Sequence, residues 1–189
     1  FSLFIAPSFF LSLYYHENLY LKYFYVFLII FCLGSLFKIF SRLFKKVDNI
    51  RAFDAYVIVV SGWLLCSFLG SLPYLFAGTF SNITNAVFES VSGFTCTGSS
   101  VMTNIEIHPK SILFWRALTH LLGGMGIIAL VLAILPQFSY MKLFSLEAPI
   151  SSVEGRVLPR IKDTARTLWM IYVLFTCFGI IFLIIAGME

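Results

Sequence analysis

Between residues 78 and 110 the chain is too polar to cross a bilayer and too apolar to be an ordinary surface loop, and long apolar runs stand on both sides of it. At its centre Asn85-Ala-Val-Phe-Glu-Ser-Val-Ser-Gly-Phe breaks into Thr95-Cys96-Thr97-Gly98-Ser99. Irregular backbone at membrane depth is tolerated only where it is buried in protein or lines a water-filled path. Threonine followed by glycine is also how a cation filter built from backbone carbonyls is written. The segment restricts the chain to folds that carry polar, glycine-bearing backbone into a membrane.

Composition says that there is a membrane. Hydrophobic residues make up 60% of the chain, mean hydropathy is +0.94, and only 12% of residues are charged. A soluble domain carries roughly 25% charged residues. Apolar runs of the roughly 20 residues needed to span extend over 19–40, 53–77, 111–136 and 167–187. Phe1 to Tyr15 is apolar but short, and is expected to be the remainder of a span in the N-terminal portion of a longer protein. It lacks the basic flank and small-residue cleavage site of a signal peptide. Cys32, Cys66, Cys96 and Cys177 show neither CxxC nor metal-site spacing, so they are expected to be small buried hydrophobes.

Charge placement sets the topology. Lys38, Arg42, Lys45, Lys46 and Arg51 surround one loop; Lys142, Arg156, Arg160, Lys162 and Arg166 surround another. Those two loops hold ten of the thirteen basic residues, so the net charge of +4 reflects bilayer topology rather than a nucleic-acid surface. Cytoplasmic loops carry the excess of Lys and Arg. Both loops fall on that face only if residues 78–110 enter the membrane and leave on the side they entered. The charge pattern therefore predicts a re-entrant loop without reference to any motif.

Within it, Ser81 or Asn82 can cap a short helix that runs to about Ser92 and stops at Gly93. Its C-terminus would point at the membrane centre, where the negative end of the helix dipole favours a cation. Thr95 to Ser99 would then climb out in an extended conformation, with Gly98 taking a positive φ so that consecutive carbonyls face one way. Glu89, an ionisable group in the membrane, needs a reason: it either supports the filter from behind or sits at the outer interface. Arg116 either snorkels outward or pairs with Glu89 or Glu106. Gly123, Gly124 and Gly126 are expected to allow close helix packing or a bend in the inner helix.

The run from Phe88 to Pro136, FESVSGFTCTGSSVMTNIEIHPKSILFWRALTHLLGGMGIIALVLAILP, resembles the first pore repeat of the Trk/Ktr/HKT superfamily of potassium transporters, nearest the bacterial TrkH/TrkG-type membrane subunits. The likeness continues through Glu147-Ala148-Pro149, Pro159-Arg160-Ile161, Thr164-Ala165-Arg166 and Leu168-Trp169-Met170-Ile171-Tyr172. It implies an all-α membrane fold of four outer-helix, pore-helix, filter and inner-helix repeats, preceded by two extra helices. Residues 1–52 would then be the extra helices and a basic loop, 53–136 the first repeat, and 137–189 a cytoplasmic loop and the outer helix of the second repeat.

The resemblance further implies that Thr95, Cys96, Thr97 and Gly98 bind potassium through backbone carbonyls, with Glu89 and Ser99 in support. It implies a homodimer in the bacterial inner membrane, with a cytosolic nucleotide-binding regulatory subunit of the RCK/KTN (TrkA-like) type. The basic loops would be open to that partner or to anionic membrane lipid; no organic cofactor and no nucleic acid is implied. The family often has Thr-Thr-Thr-Gly where this chain has Cys96, and Gln where His120 stands. Serine at the position of Gly98 goes with sodium transport in related plant proteins, so Gly98 favours potassium. Two rival readings are a non-conducting assembly subunit and an intramembrane serine hydrolase using Ser92, Ser99 or Ser100 with His120. The hydrolase has no GxSxG motif to support it.

Overall fold

The computed structural model describes residues 1–43, 52–134 and 154–187, and every regular element among them is helical. In chain order these are a 3-10 turn at Ser2–Ile5, α1 (Ala6–Tyr14), α2 (Tyr20–Leu43), α3 (Ala52–Ala77), α4 (Ile83–Phe94), a 3-10 turn at Ile105–Ile107, α5 (Lys110–Ile134) and α6 (Glu154–Ile185). Tyr20–Leu43, Tyr56–Ala77 and Arg166–Ile185 are long and apolar enough to cross a membrane. With 25 residues, α5 is about 37 Å long, which also suffices. The 12 residues of α4 reach only about 18 Å and cannot span.

Two compact units divide the chain, residues 1–124 and 125–189, and α5 runs from the first into the second. In the first, Tyr23, Val26 and Ile30 of α2 pack with Ile5, Tyr74, Ala86, Met102, Ile112 and Trp115. Small and hydroxyl residues occupy the helix contacts: Ser67 and Ser71 on α3 and Ser90 and Ser92 on α4 are buried. Helices in lipid associate by close packing rather than by a hydrophobic drive, and small residues permit it. Pro73 lies inside α3 and has no N–H for the Leu69 carbonyl. Of the second unit, α6 holds 32 residues, and most of its apolar side chains from Trp169 onward are exposed. That helix begins at Glu154, so the segment expected to be a loop up to residue 166 is helical over its last part.

One contact places the re-entrant segment. Trp115, little more than a turn into α5, donates from Nε1 to the Gly70 carbonyl at 3.0 Å, two turns before the end of α3. The end of α3 and the start of α5 therefore lie side by side, and residues 78–109 return to the level they left. Much of the loop 38–51 and all of 137–153 lie outside the described residues. The cysteines depart from expectation: Cys32, Cys96 and Cys177 are exposed and Cys66 is half-buried.

Candidate ion-filter site

Helix α4 is amphipathic because its buried residues recur at helical spacing: Ala86, Glu89, Ser90 and Gly93 form one face. That face wedges between α3 and α5. On the α3 side, Ser90 Oγ donates to the Ser67 carbonyl at 2.6 Å. A Cβ added at Gly70 would collide with Ser90 Oγ and the Phe94 ring. On the α5 side, a Cβ at Gly93 would run into the Thr119 side chain, and one at Gly123 into the Phe94 backbone carbonyl. Gly123 lies 13 residues into α5, about 20 Å along it. The C-terminus of α4 is thereby held well below the level at which α5 begins. Gly124 and Gly126 lie half-buried on the same helix.

Asn82 is the N-cap residue of α4, in extended conformation, but its side chain makes no cap bond. The other end departs from expectation as well. Helix α4 continues through Gly93 to Phe94, so Gly93 is a packing residue and not a stop. The stop is Cys96, at φ 54°. Thr97 N–H reaches back to the Ser92 carbonyl and Cys96 N–H to the Gly93 carbonyl, both at 3.0 Å. This double closure ends many helices on a left-handed residue, usually glycine. Gly98 is left-handed too, at φ 78°, with nothing within 4 Å of an added Cβ. The expected extended climb is instead a chain reversed at Cys96 and again at Gly98, with Thr97 between them. Turning alternate residues left-handed is how a peptide brings successive carbonyls to one side.

Each limb of this turn is tied down. On the inner limb, Thr95 Oγ1 donates to the Val91 carbonyl at 2.8 Å and meets Thr97 Oγ1 at 2.7 Å. Cys96 Sγ donates to the His120 backbone carbonyl at 3.2 Å. On the outer limb, Ser92 Oγ donates to the Ser99 carbonyl at 2.5 Å. Glu89 does the rest. Only 2% exposed, its carboxylate accepts Ser100 Oγ at 2.9 Å, Val101 N–H at 3.1 Å and Arg116 Nε at 2.7 Å. Ser100 Oγ in turn accepts Met102 N–H at 3.1 Å, so its proton belongs to Glu89. Ser100, Val101 and Arg116 thus converge on one carboxylate.

Arg116 therefore pairs with Glu89 rather than reaching for the outer surface, and Glu89 is a buried residue rather than an interfacial one. Sequence reasoning missed the scaffold around them: Ser67, Gly70, Ser90 and Thr119, and the anchoring roles of Ser92 and Ser100. The signal available was the density of small hydroxyl residues in apolar helices, where they bond nearby carbonyls. Two of the three serines of the hydrolase reading are engaged elsewhere. Ser92 and Ser100 are committed to the Ser99 carbonyl and to Glu89, and His120 meets the turn through its backbone carbonyl.

The family model for TrkH cation transport proteins matches residues 15–188. Among similar proteins, the Trk system potassium uptake protein TrkH of Escherichia coli K12 is 38% identical over 148 residues, covering 77% of this chain and 31% of its own length. The Trk system potassium uptake protein TrkG of the same strain is 33% identical over 193 residues, covering 100% of this chain and 39% of its own length. TrkH of Halomonas elongata is 35% identical over 192 residues, with 100% and 39% covered. The chain thus spans roughly a third of the length of the curated relatives it matches.

Proposed function

Because the chain belongs to the TrkH family of cation transport proteins, we propose that it contributes the first quarter of a potassium-selective pore in the plasma membrane. Potassium is the transported ion. Thr95, Cys96, Thr97 and Gly98 present backbone carbonyls that replace its hydration shell, and three further repeats of the full-length protein complete the ring. Glu89 and Ser99 hold the outer limb in place. The inner helix α5 lines the lower pore, and Gly123, Gly124 and Gly126 let it approach the pore helix. Transport is passage of a cation, not a chemical conversion.

The observation that supports this reading best is the paired left-handed geometry of Cys96 and Gly98 at the buried end of a helix too short to span. A surface loop has no need to be anchored at this depth, nor to be bound on both limbs by a buried ion pair and four side-chain hydroxyls. We further propose that the full-length protein forms a homodimer. An RCK/KTN-type nucleotide-binding subunit then docks on the basic segments 38–51 and 142–166, which also face anionic lipid.

Rubidium uptake by the full-length protein in potassium-starved cells tests the reading. Saturable uptake is expected. A protein that reaches the membrane and leaves uptake at the level of empty cells would point to the non-conducting assembly subunit instead.

A further inference from the structure

The turn between α1 and α2 lies outside the pore repeat in sequence, yet it makes a polar contact with the pore-lining helix. Glu17 follows a left-handed His16 at φ 53°. Its own backbone is locked: Glu17 N–H donates to the Ser12 carbonyl at 2.9 Å, and Ser12 Oγ donates to the Glu17 carbonyl at 3.1 Å. The side chain so aimed reaches Ser111, at the second position of α5. Ser111 N–H lies 3.4 Å from one carboxylate oxygen, and Ser111 Oγ donates to the same oxygen. Since that hydroxyl gives its proton to Glu17, it accepts from Tyr23 on α2, whose OH stands 3.1 Å away. Ser111 and Tyr23 are buried. Beside them Lys110 Nζ sits 5.3 Å from the centre of the Tyr15 ring.

A carboxylate at a helix N-terminus satisfies backbone donors that have no partner within the helix and complements the positive end of the helix dipole. Here that carboxylate comes from 94 residues away in sequence. What α5 carries makes the tie consequential. Arg116, Thr119, His120 and Gly123 on this one helix meet Glu89, Gly93, Cys96 and Phe94 in turn. A shift of α5 along its axis would disturb all four contacts together. We propose that the α1–α2 turn is a positioning device for the pore: Glu17, relayed through Ser111 and braced by Tyr23, fixes the height of α5 and thereby the filter turn. Glu17, Tyr23 and Ser111 are positioning residues that touch no ion.

The test uses the full-length protein with Glu17→Ala, Tyr23→Phe and the double variant. Its transport readout rests on the pore reading; its second readout does not. In purified protein, hydrogen exchange at the Ser111 amide should accelerate roughly tenfold in Glu17→Ala, as expected when one protecting bond opens locally. Maximal rubidium uptake per transporter in the membrane should fall roughly fivefold, the scale of one charge-assisted hydrogen bond. The half-saturating rubidium concentration and the rubidium-to-sodium ratio should stay at wild-type values. The double variant should lose no more than Glu17→Ala, because both act through Ser111. Wild-type amide exchange and maximal uptake in Glu17→Ala would overturn the proposal, as would a changed ion ratio with an unchanged maximal rate. If Glu17→Ala does not reach the membrane, Tyr23→Phe decides: reduced maximal uptake supports the tie and wild-type uptake overturns it. Failure of the wild-type protein to take up rubidium would count against the pore reading, while amide exchange would still decide this one.

Discussion

Two residues of the turn proposed as the filter, Cys96 and Gly98, carry positive φ, and they do so on different terms. A non-glycine residue in the left-handed region costs roughly 1–2 kcal/mol, and Cys96 bears that cost at the end of α4. Its thiol bond to the His120 carbonyl returns some of it. Cys96→Gly should therefore leave thermal stability in detergent unchanged or raise it, and should retain transport. Cys96→Val, β-branched in a left-handed position, should lower stability by about 2 kcal/mol. Gly93 is a different case, since its φ is helical and only space is at stake. Its missing Cβ is occupied by Thr119, so Gly93→Ala should cost roughly 1–3 kcal/mol by overpacking, and Gly93→Ala with Thr119→Ser should recover part of it. Thermal unfolding of the purified full-length variants checks each value.

Among the elements, α4 depends on its neighbours more than on its own propensity, for it is short and ends in a polar turn. Glu89 and Arg116 illustrate an asymmetry. Arg116 keeps 23% of its side chain exposed whereas Glu89 keeps 1%. Removing the arginine strands a buried charge, at a cost of about 3–5 kcal/mol; removing the glutamate leaves a guanidinium that can still find water. Arg116→Gln should therefore destabilise the protein more than Glu89→Gln, and Glu89→Gln with Arg116→Gln should be more stable than Arg116→Gln alone. Chemical unfolding of all three, with rubidium uptake alongside, provides the check; equal losses in the two single variants would contradict it.

That pairing also marks the limit of what the sequence discloses. Apolar length revealed the helices that became α2, α3, α5 and α6, and the distribution of Lys and Arg revealed that residues 78–110 turn back. Both signals are one-dimensional. Whether Arg116 snorkels or pairs depends on how far α5 rises beside α4, which is a matter of packing. Gly93 looked like a helix stop because glycine usually ends a helix. It proved to be a space for Thr119, a residue 26 positions away in the chain. Glu17 gave no sequence signal, because a helix cap supplied across 94 residues follows no local spacing.

At the scale of the whole molecule, the described chain carries in sequence order an N-terminal helix pair, the α3–α4–α5 segment proposed as a pore repeat, and helix α6, whose apolar side chains from Trp169 onward are mostly exposed. The start of α6, helical from Glu154, takes up part of the basic segment where a loop was anticipated. In the proposed pore these parts serve one object, the turn from Thr95 to Gly98. Gly98 concentrates the test, because its φ of 78° is set by the backbone while the space around it is open. A serine there strains the chain without a steric clash, so the protein should still fold. The decisive measurement is the ratio of rubidium to sodium uptake by the full-length Gly98→Ser protein, beside wild type, in potassium-starved cells. A clear fall in that ratio with transport retained is expected; a ratio identical to wild type would contradict the assignment of this turn as the filter.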